Sequence, residues 1–330
     1  MIKLATTYMG LALKNPILAG SSGLTNSVTQ IKLLEKAGVG AVVLKSLFEE
    51  QIKIDVRSVI SSNEQNTAYP EAEDYIRNYT KMNSVAKYLD YIREVKTAVS
   101  IPIIASINCT SVADWTDFAR DIEAAGADAL ELNIYEMPVD RNISADSYDK
   151  VYIDILRSVK KKVKIPVSVK ISFYFSNIIR VVDQLIANGA SAVVMFNRFY
   201  TPDFNLDTLE FTTSEVMSLP TDLYRGLRWT GIVKGKLPKV EIAASTGIHD
   251  GQAAIKQILA GAQVVQLCST LYLNGFGVVS EMEAELKKFM EKWSFESVND
   301  FRGRMSYQNI KSPALYERAQ FMKYFSDHQK

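Results

Sequence analysis

Two short patterns alternate along the chain. In the first, glycine closes a stretch of helical spacing, and about five apolar-rich residues follow and stop on a polar group. It occurs as AGVGAVVLKS (37–46), AGADALELN (125–133), NGASAVVMFN (188–197) and AGAQVVQLCS (260–269). The second pattern, NPILAGSS (15–22), IPIIASIN (101–108), IPVSVKIS (165–172) and KVEIAAST (239–246), is again a short strand ending in small or polar residues. Three of these open with a Pro, which cannot donate to a sheet ladder. Helical periodicity runs through QIKLLEKA, VAKYLDYIREVKTA, DWTDFARDIEAA, YIDILRSVKKKV, IIRVVDQLIA and GQAAIKQILA. Interleaved, these segments predict about eight strands alternating with helices, paired in parallel through right-handed crossovers.

Such a chain closes as a (β/α)8 TIM barrel of about 250 residues. The surplus is assigned to a loop near 47–82, a second near 198–237 and a helical tail from about 281 to 330, all within one domain whose barrel spans about 1–280. The rival architecture is an open doubly wound sheet. Its first strand would more often lead into a Gly-rich dinucleotide fingerprint, and GSSG after residue 19 is not one.

Composition narrows the class of ligand. Of 330 residues 47% are hydrophobic and 23% charged, an ordinary globular balance. Lys plus Arg (38) nearly cancels Asp plus Glu (37), so no overall field attracts nucleic acid or an anionic membrane, and a small ligand is expected instead. Cys109 and Cys268 are too few to ligate an iron–sulfur cluster. The N-terminal stretch carries polar residues within its apolar run and no segment approaches a membrane span, so a cytoplasmic location is expected.

In a barrel of this type the strand C-termini build the site. In strand order they offer Gly20, Ser21 and Ser22; Lys45 and Ser46; Asn108; Asn133; Lys170 and Ser172; Asn197 and Arg198; Ser245, Thr246 and Gly247; and Ser269 and Thr270. The last two strands end in ASTGIHDG and CSTLYLNG, whose N–H groups and hydroxyls suit a phosphate. Ser and Thr also serve as ordinary helix caps at such turns. Lys45 and Lys170 either ask for an anionic partner or line a solvated rim. A phosphorylated, amide-rich heterocycle would satisfy both lysines and the carboxamides of Asn133 and Asn197.

These residues resemble the flavin barrels of the dihydroorotate dehydrogenase family, including the flavin domain of dihydropyrimidine dehydrogenase. The likeness is carried by LATTYMGLALKNPILAGSSG, GAVVLKS, the segment from IPIIASIN to ALELN, IPVSVKIS, IAASTGIHDGQAAIKQILAGAQVVQLCSTLY and SVNDFRGR, from residue 4 to about 305. The resemblance implies FMN, with its phosphate on Ser245, Thr246, Gly247, Ser269 and Thr270. Gly20, Ser21, Ser22, Lys45, Ser46, Asn108, Asn133, Lys170 and Asn197 complete the expected cofactor site. A lysine beside the ring, Lys45 being the catalytic candidate, would favour the reduced, anionic flavin.

The substrate residues are matched less closely. The family's Asn-Ser pair appears as Asn83 and Ser84, and Asn133 and Asn197 keep their places, but Arg198 stands where a hydroxyl residue is usual. Arg198 is expected to meet an anionic substrate group. After the fourth strand the family carries a Cys or Ser base, whereas this chain reads NIYEMPVDRN, leaving Glu136 as the replacement acid or base. Its alternative is an exposed loop carboxylate. The reading is an FMN-dependent oxidoreductase acting on a C–C bond of a small anionic, pyrimidine-like substrate. Without a cluster of its own or the N-terminal extension of quinone-linked members, it would pass electrons to a soluble acceptor or partner protein, and a homodimer is allowed. Two other readings stay open: a non-redox barrel using Lys170 as a Schiff-base amine, and an inactive flavin-binding homologue.

Overall fold

The computed structural model describes residues 2–48, 70–108, 112–198 and 201–317. An antiparallel hairpin, β1 (Thr6–Tyr8) and β2 (Leu11–Leu13), precedes the first barrel strand. The eight barrel strands are β3 (Ile17–Ala19), β4 (Ala41–Val43), β6 (Ile103–Asn108), β7 (Ala129–Asn133), β8 (Val167–Ile171), β9 (Ala192–Met195), β12 (Ile242–Ser245) and β13 (Val264–Leu267). They pair in parallel around the ring, and the β13–β3 and β4–β6 ladders complete the closure. A short β5 (Leu47–Phe48) adds to the end of β6, and β10 (Pro202–Asn205) and β11 (Glu210–Thr213) form a separate exposed hairpin.

Each predicted strand is present because it is buried on both faces, which is why it reads as an almost continuous apolar run. Alternate residues divide between two cores. Ile17, Val42, Leu130, Val169, Val193 and Val265 face the surrounding helices. Leu18, Ala41, Ile104, Ala129, Ala192, Ala243 and Val264 fill the barrel interior together with Tyr8 and Leu13 of the hairpin. The hairpin thus plugs the N-terminal mouth. There the Met9 N–H donates to Glu241 Oε2 at 2.6 Å, and Gln263 Nε2 to the Thr7 carbonyl at 2.6 Å.

The glycines of the first repeat carry its geometry. Gly38, Gly126, Gly189 and Gly261 all have φ between +96° and +124°, where each turns the chain out of a helix and into the next strand. The helices in question are α1 (Val28–Ala37), α3 (Val112–Ala124), α5 (Ile178–Ala187) and α7 (Gly251–Ala260). Their other ends carry side-chain caps where expected, as with Ser27 on Gln30 N–H and Asp250 on Ala253 N–H.

Three expectations about the intervening segments are corrected. α2 runs from Pro70 to Ala98, so the described end of the supposed 47–82 loop is helical; after its opening Pro the segment holds no Gly or Pro to break it. The supposed loop near 198–237 contains α6 (Leu223–Lys236), hidden in the sequence by Gly226, Gly231 and Gly235. Two of those glycines admit close packing, since a Cβ at Gly231 would collide with Tyr316 and one at Gly235 with Tyr307. Among the described residues the C-terminal tail is α-helical only in α9 (Val278–Trp293), after α8 (Ser269–Leu273), and those beyond it include 3-10 turns at Val298–Asp300 and Pro313–Tyr316. α4 (Ala145–Lys160) completes the set of described helices around the barrel.

Candidate active site

The C-terminal ends of the strands open onto a cavity of about 500 Å³, within the ordinary size range of small-ligand sites. Gly20, Ser21 and Ser22 line it from the end of β3, and Lys45 and Ser46 from β4. Asn133, Lys170, Asn197 and Arg198 contribute from β7, β8 and β9, and Ser245, Thr246, Gly247 and Ser269 from the last two strands. Residues scattered over 250 positions of sequence therefore meet at one mouth because parallel strands bring all their C-termini to the same end.

Hydroxyls organise the wall near the first strands. Ser21 Oγ, Ser46 Oγ and Ser106 Oγ form a chain with separations of 3.1 and 2.7 Å, and the Ser46 N–H donates to Ser21 Oγ at 2.9 Å. Ser22 caps the following 3-10 turn by accepting from the Leu24 N–H at 3.2 Å. At the end of β12, Thr246 and Gly247 take successive positive φ values of 77° and 74°, and both line the cavity. Gly247 has no room for a side chain, because its Cβ would run into the backbone of Asp222 and Leu223 at the start of α6.

Segment 216–218 reaches over Gly247. The Ser218 N–H donates to Ser269 Oγ at 2.8 Å, while Ser218 Oγ accepts from the Gly247 N–H at 3.4 Å and lies 3.0 Å from His249 Nε2. Arg198 holds the strap in place: its guanidinium donates to the carbonyls of Val216 and Glu215, each at 2.7 Å, and pairs with Asp222 at 3.4 Å. The expected anion-binding arginine thus has its donors committed within the chain.

Inside the barrel, polar groups lie one level below the cavity floor. The Lys170 ammonium sits 3.8 Å from Glu131 Oε1, and Gln266 Nε2 donates to Glu131 Oε2 at 2.7 Å. Asn133 Oδ1 and Gln266 Oε1 are buried acceptors without a hydrogen-bond partner among the described residues, and both residues line the cavity. Cys268 lines it too; burial pushes its thiol up, and the Lys170 ammonium and the Ser22 hydroxyl pull it part of the way back.

A second cavity of about 330 Å³ shares Phe196, Asn197, Arg198, Ser245 and Thr246 with the first. Its other walls are aromatic, with Tyr135, Phe173 and Tyr174, and the Arg225 guanidinium lies 4.2 Å from the centre of the Phe173 ring.

Several expected residues stand elsewhere. Asn83 and Ser84 lie within α2, Asn83 exposed and Ser84 half-buried, and neither lines either cavity. Glu136 is exposed outside both cavities although its neighbours Tyr135 and Met137 line the second. Asn108 is buried at the end of β6 without lining the cavity. Thr270 is turned inward, its hydroxyl donating to the His249 carbonyl at 3.1 Å and accepting from Asn274 Nδ2 at 2.9 Å. Cys109 lies outside the described residues. Conversely, Phe196, Ser218, Gln266 and Tyr272 line the cavity unannounced. Gln266 was accessible from the period of two within VVQL; nothing in the sequence points to Ser218.

Comparison with known proteins agrees with this architecture. The sequence model of the family described as "Dihydroorotate dehydrogenase" matches residues 3–214. A "Dihydroorotate dehydrogenase B (NAD(+)), catalytic subunit" from Thermoplasma volcanium is 30% identical over 310 residues, spanning 92% of this chain and 98% of that protein. The protein of the same name from Thermoplasma acidophilum is 26% identical over 317 residues, spanning 92% of this chain and 99% of its own. The chloroplastic "Dihydropyrimidine dehydrogenase (NADP(+))" of Arabidopsis thaliana is 25% identical over 341 residues, spanning 91% of this chain and 76% of that protein. The chain belongs to the dihydroorotate dehydrogenase family and is an oxidoreductase acting on CH–CH donors.

Proposed function

We propose that the protein binds FMN in the larger cavity and uses it to oxidise or reduce a C–C bond in a small, anionic, pyrimidine-like ring. The observation that carries this reading is the convergence on one cavity of a small-residue cradle, two lysines and two buried unpartnered amide oxygens. The donor set fits FMN. Ser245, Thr246, Gly247 and Ser269 would hold the phosphate, while Asn133 and Gln266 offer acceptors to the imide side of a flavin ring. Lys45 and Lys170 supply positive charge for a ring that becomes anionic on reduction. When bound, the flavin supplies the hydride acceptor or donor that no amino-acid side chain provides.

The chain's own residues then orient substrate and move protons. Asn197 faces both cavities and can present its carboxamide to a ring amide, beside the aromatic side chains Tyr135, Phe173 and Tyr174 of the second cavity. Glu136 at the surface is poorly placed as a base. The phenol of Tyr135 is lifted above its usual range by burial and by Tyr174, so it does not replace one at neutral pH. A positioned base contributes about 10²–10⁴-fold to such a step. E136Q is therefore expected to leave the rate of dihydroorotate oxidation unchanged.

The relatives named as catalytic subunits support a partner protein or soluble carrier as the electron acceptor. No described helix is long and apolar enough to cross a membrane. Anaerobic mixing of the FMN-loaded protein with dihydroorotate and dihydrouracil tests the assignment. Loss of the visible flavin absorbance with one of them is expected, and an unchanged spectrum with every dihydropyrimidine tried would overturn it.

A further inference from the structure

Glu131 is the buried charge that the proposed reaction leaves without a task. Its side chain is 1% exposed and that of Lys170 12%, with 3.8 Å between Oε1 and Nζ. In the β7–β8 ladder Lys170 stands opposite Asn133, and Glu131 stands opposite Ser168 one level deeper. The lysine therefore leans down toward the carboxylate instead of standing free in the cavity. Glu131 Oε2 is fixed by Gln266 from β13, while Oε1 has no hydrogen-bond partner among the described residues and lies 3.8 Å from the ammonium. A carboxylate this deep is stable as an anion only beside a cation, and a lysine this deep holds its proton best beside an anion.

We propose that Glu131 is a positioning residue that keeps Lys170 a charged, oriented, partly compensated cation beneath the cofactor ring, and so sets how strongly the site favours the reduced flavin. This inference rests on the FMN reading above. The other titratable groups facing the pair are Tyr8 from the hairpin, Tyr88 from α2 and Cys268 at the end of β13. Burial, together with the Glu131 carboxylate, raises both phenols, so they stay neutral near pH 7. Lys45 is the other lysine lining the cavity.

The test is the midpoint potential of bound FMN against pH in the wild type, E131Q, E131D, K170M and the E131Q/K170M double variant. Glutamine keeps the acceptor for Gln266 and removes only the charge. At pH 6, E131Q shifts the reduction equilibrium at least tenfold toward reduced flavin, about 30 mV for a two-electron couple, because Lys170 is uncompensated. The double variant lacks that gain, and E131D restores most of the wild-type potential. An E131Q potential that superimposes on the wild type, or a gain that persists in the double variant, would overturn the proposal. In the apo-protein, K170M loses several degrees of Tm at pH 8 and the double variant recovers them; no recovery also counts against the pair. Failure of the wild type to bind FMN would instead sink the functional reading, while the apo-protein measurement would still judge the coupling of Glu131 and Lys170.

Discussion

Single positions decide whether the cavity can grip a phosphate. Gly247 combines a φ of 74° with no space for a Cβ. Gly247→Ala therefore strains the backbone and pushes on the start of α6, costing roughly 2–4 kcal/mol of stability. Its FMN dissociation constant should rise at least tenfold; equilibrium titration and thermal melting check the two effects. Cys268 gives a reading of local electrostatics. Because burial raises its thiol, alkylation of the Cys268 peptide, followed by mass spectrometry, should become rapid only above the ordinary thiol range. Lys170→Met removes a pull toward the thiolate and moves that profile to still higher pH, while a downward move would contradict the assigned proximity. At this scale the sequence was a partial guide. Polar residues at strand ends were legible as a set because parallel strands deliver them together. Thr270 shows the limit, since a polar residue near a strand end can turn inward and satisfy neighbours instead of a ligand.

The elements that sequence predicted best are those whose signal is local. Every barrel strand and the helices α5 and α7 follow from apolar runs, caps and left-handed glycines. α6 is hidden in the sequence because its three glycines lower helical propensity, and the reason for two of them, the close approach of Tyr316 to Gly231 and of Tyr307 to Gly235, lies far along the chain. The hairpin β10–β11 and the strap 216–218 were equally hidden, since their structure depends on pairing and on Arg198. That dependence makes a prediction. Arg198→Ala frees the Val216 and Glu215 carbonyls and loosens Ser218 over the cradle, so FMN should dissociate about tenfold faster, the loss of roughly 1.4 kcal/mol of retention. Stopped-flow release of FMN measures this. If Arg198 met the substrate directly, KM would rise while FMN release stayed unchanged.

At the level of the whole molecule, barrel closure turns a list of dispersed residues into one site. The hairpin seals the N-terminal mouth with Tyr8, apolar residues such as Leu18, Ile104 and Ala243 pack around it, and the polar side chains that line the cavity gather at the opposite end. Barrel strands β3 to β9, within the segment 3–214 matched by the family, and β12 and β13, which lead toward Ser245 and Ser269, form one continuous ring, so the cavity needs both. The central claim is that this cavity is an FMN site, and titration of the apo-protein with FMN, followed by quenching of flavin fluorescence, tests it most directly. The account predicts saturation at one FMN per chain, with affinity lost in Gly247→Ala. Absence of saturable binding, or binding indifferent to that substitution, would contradict it.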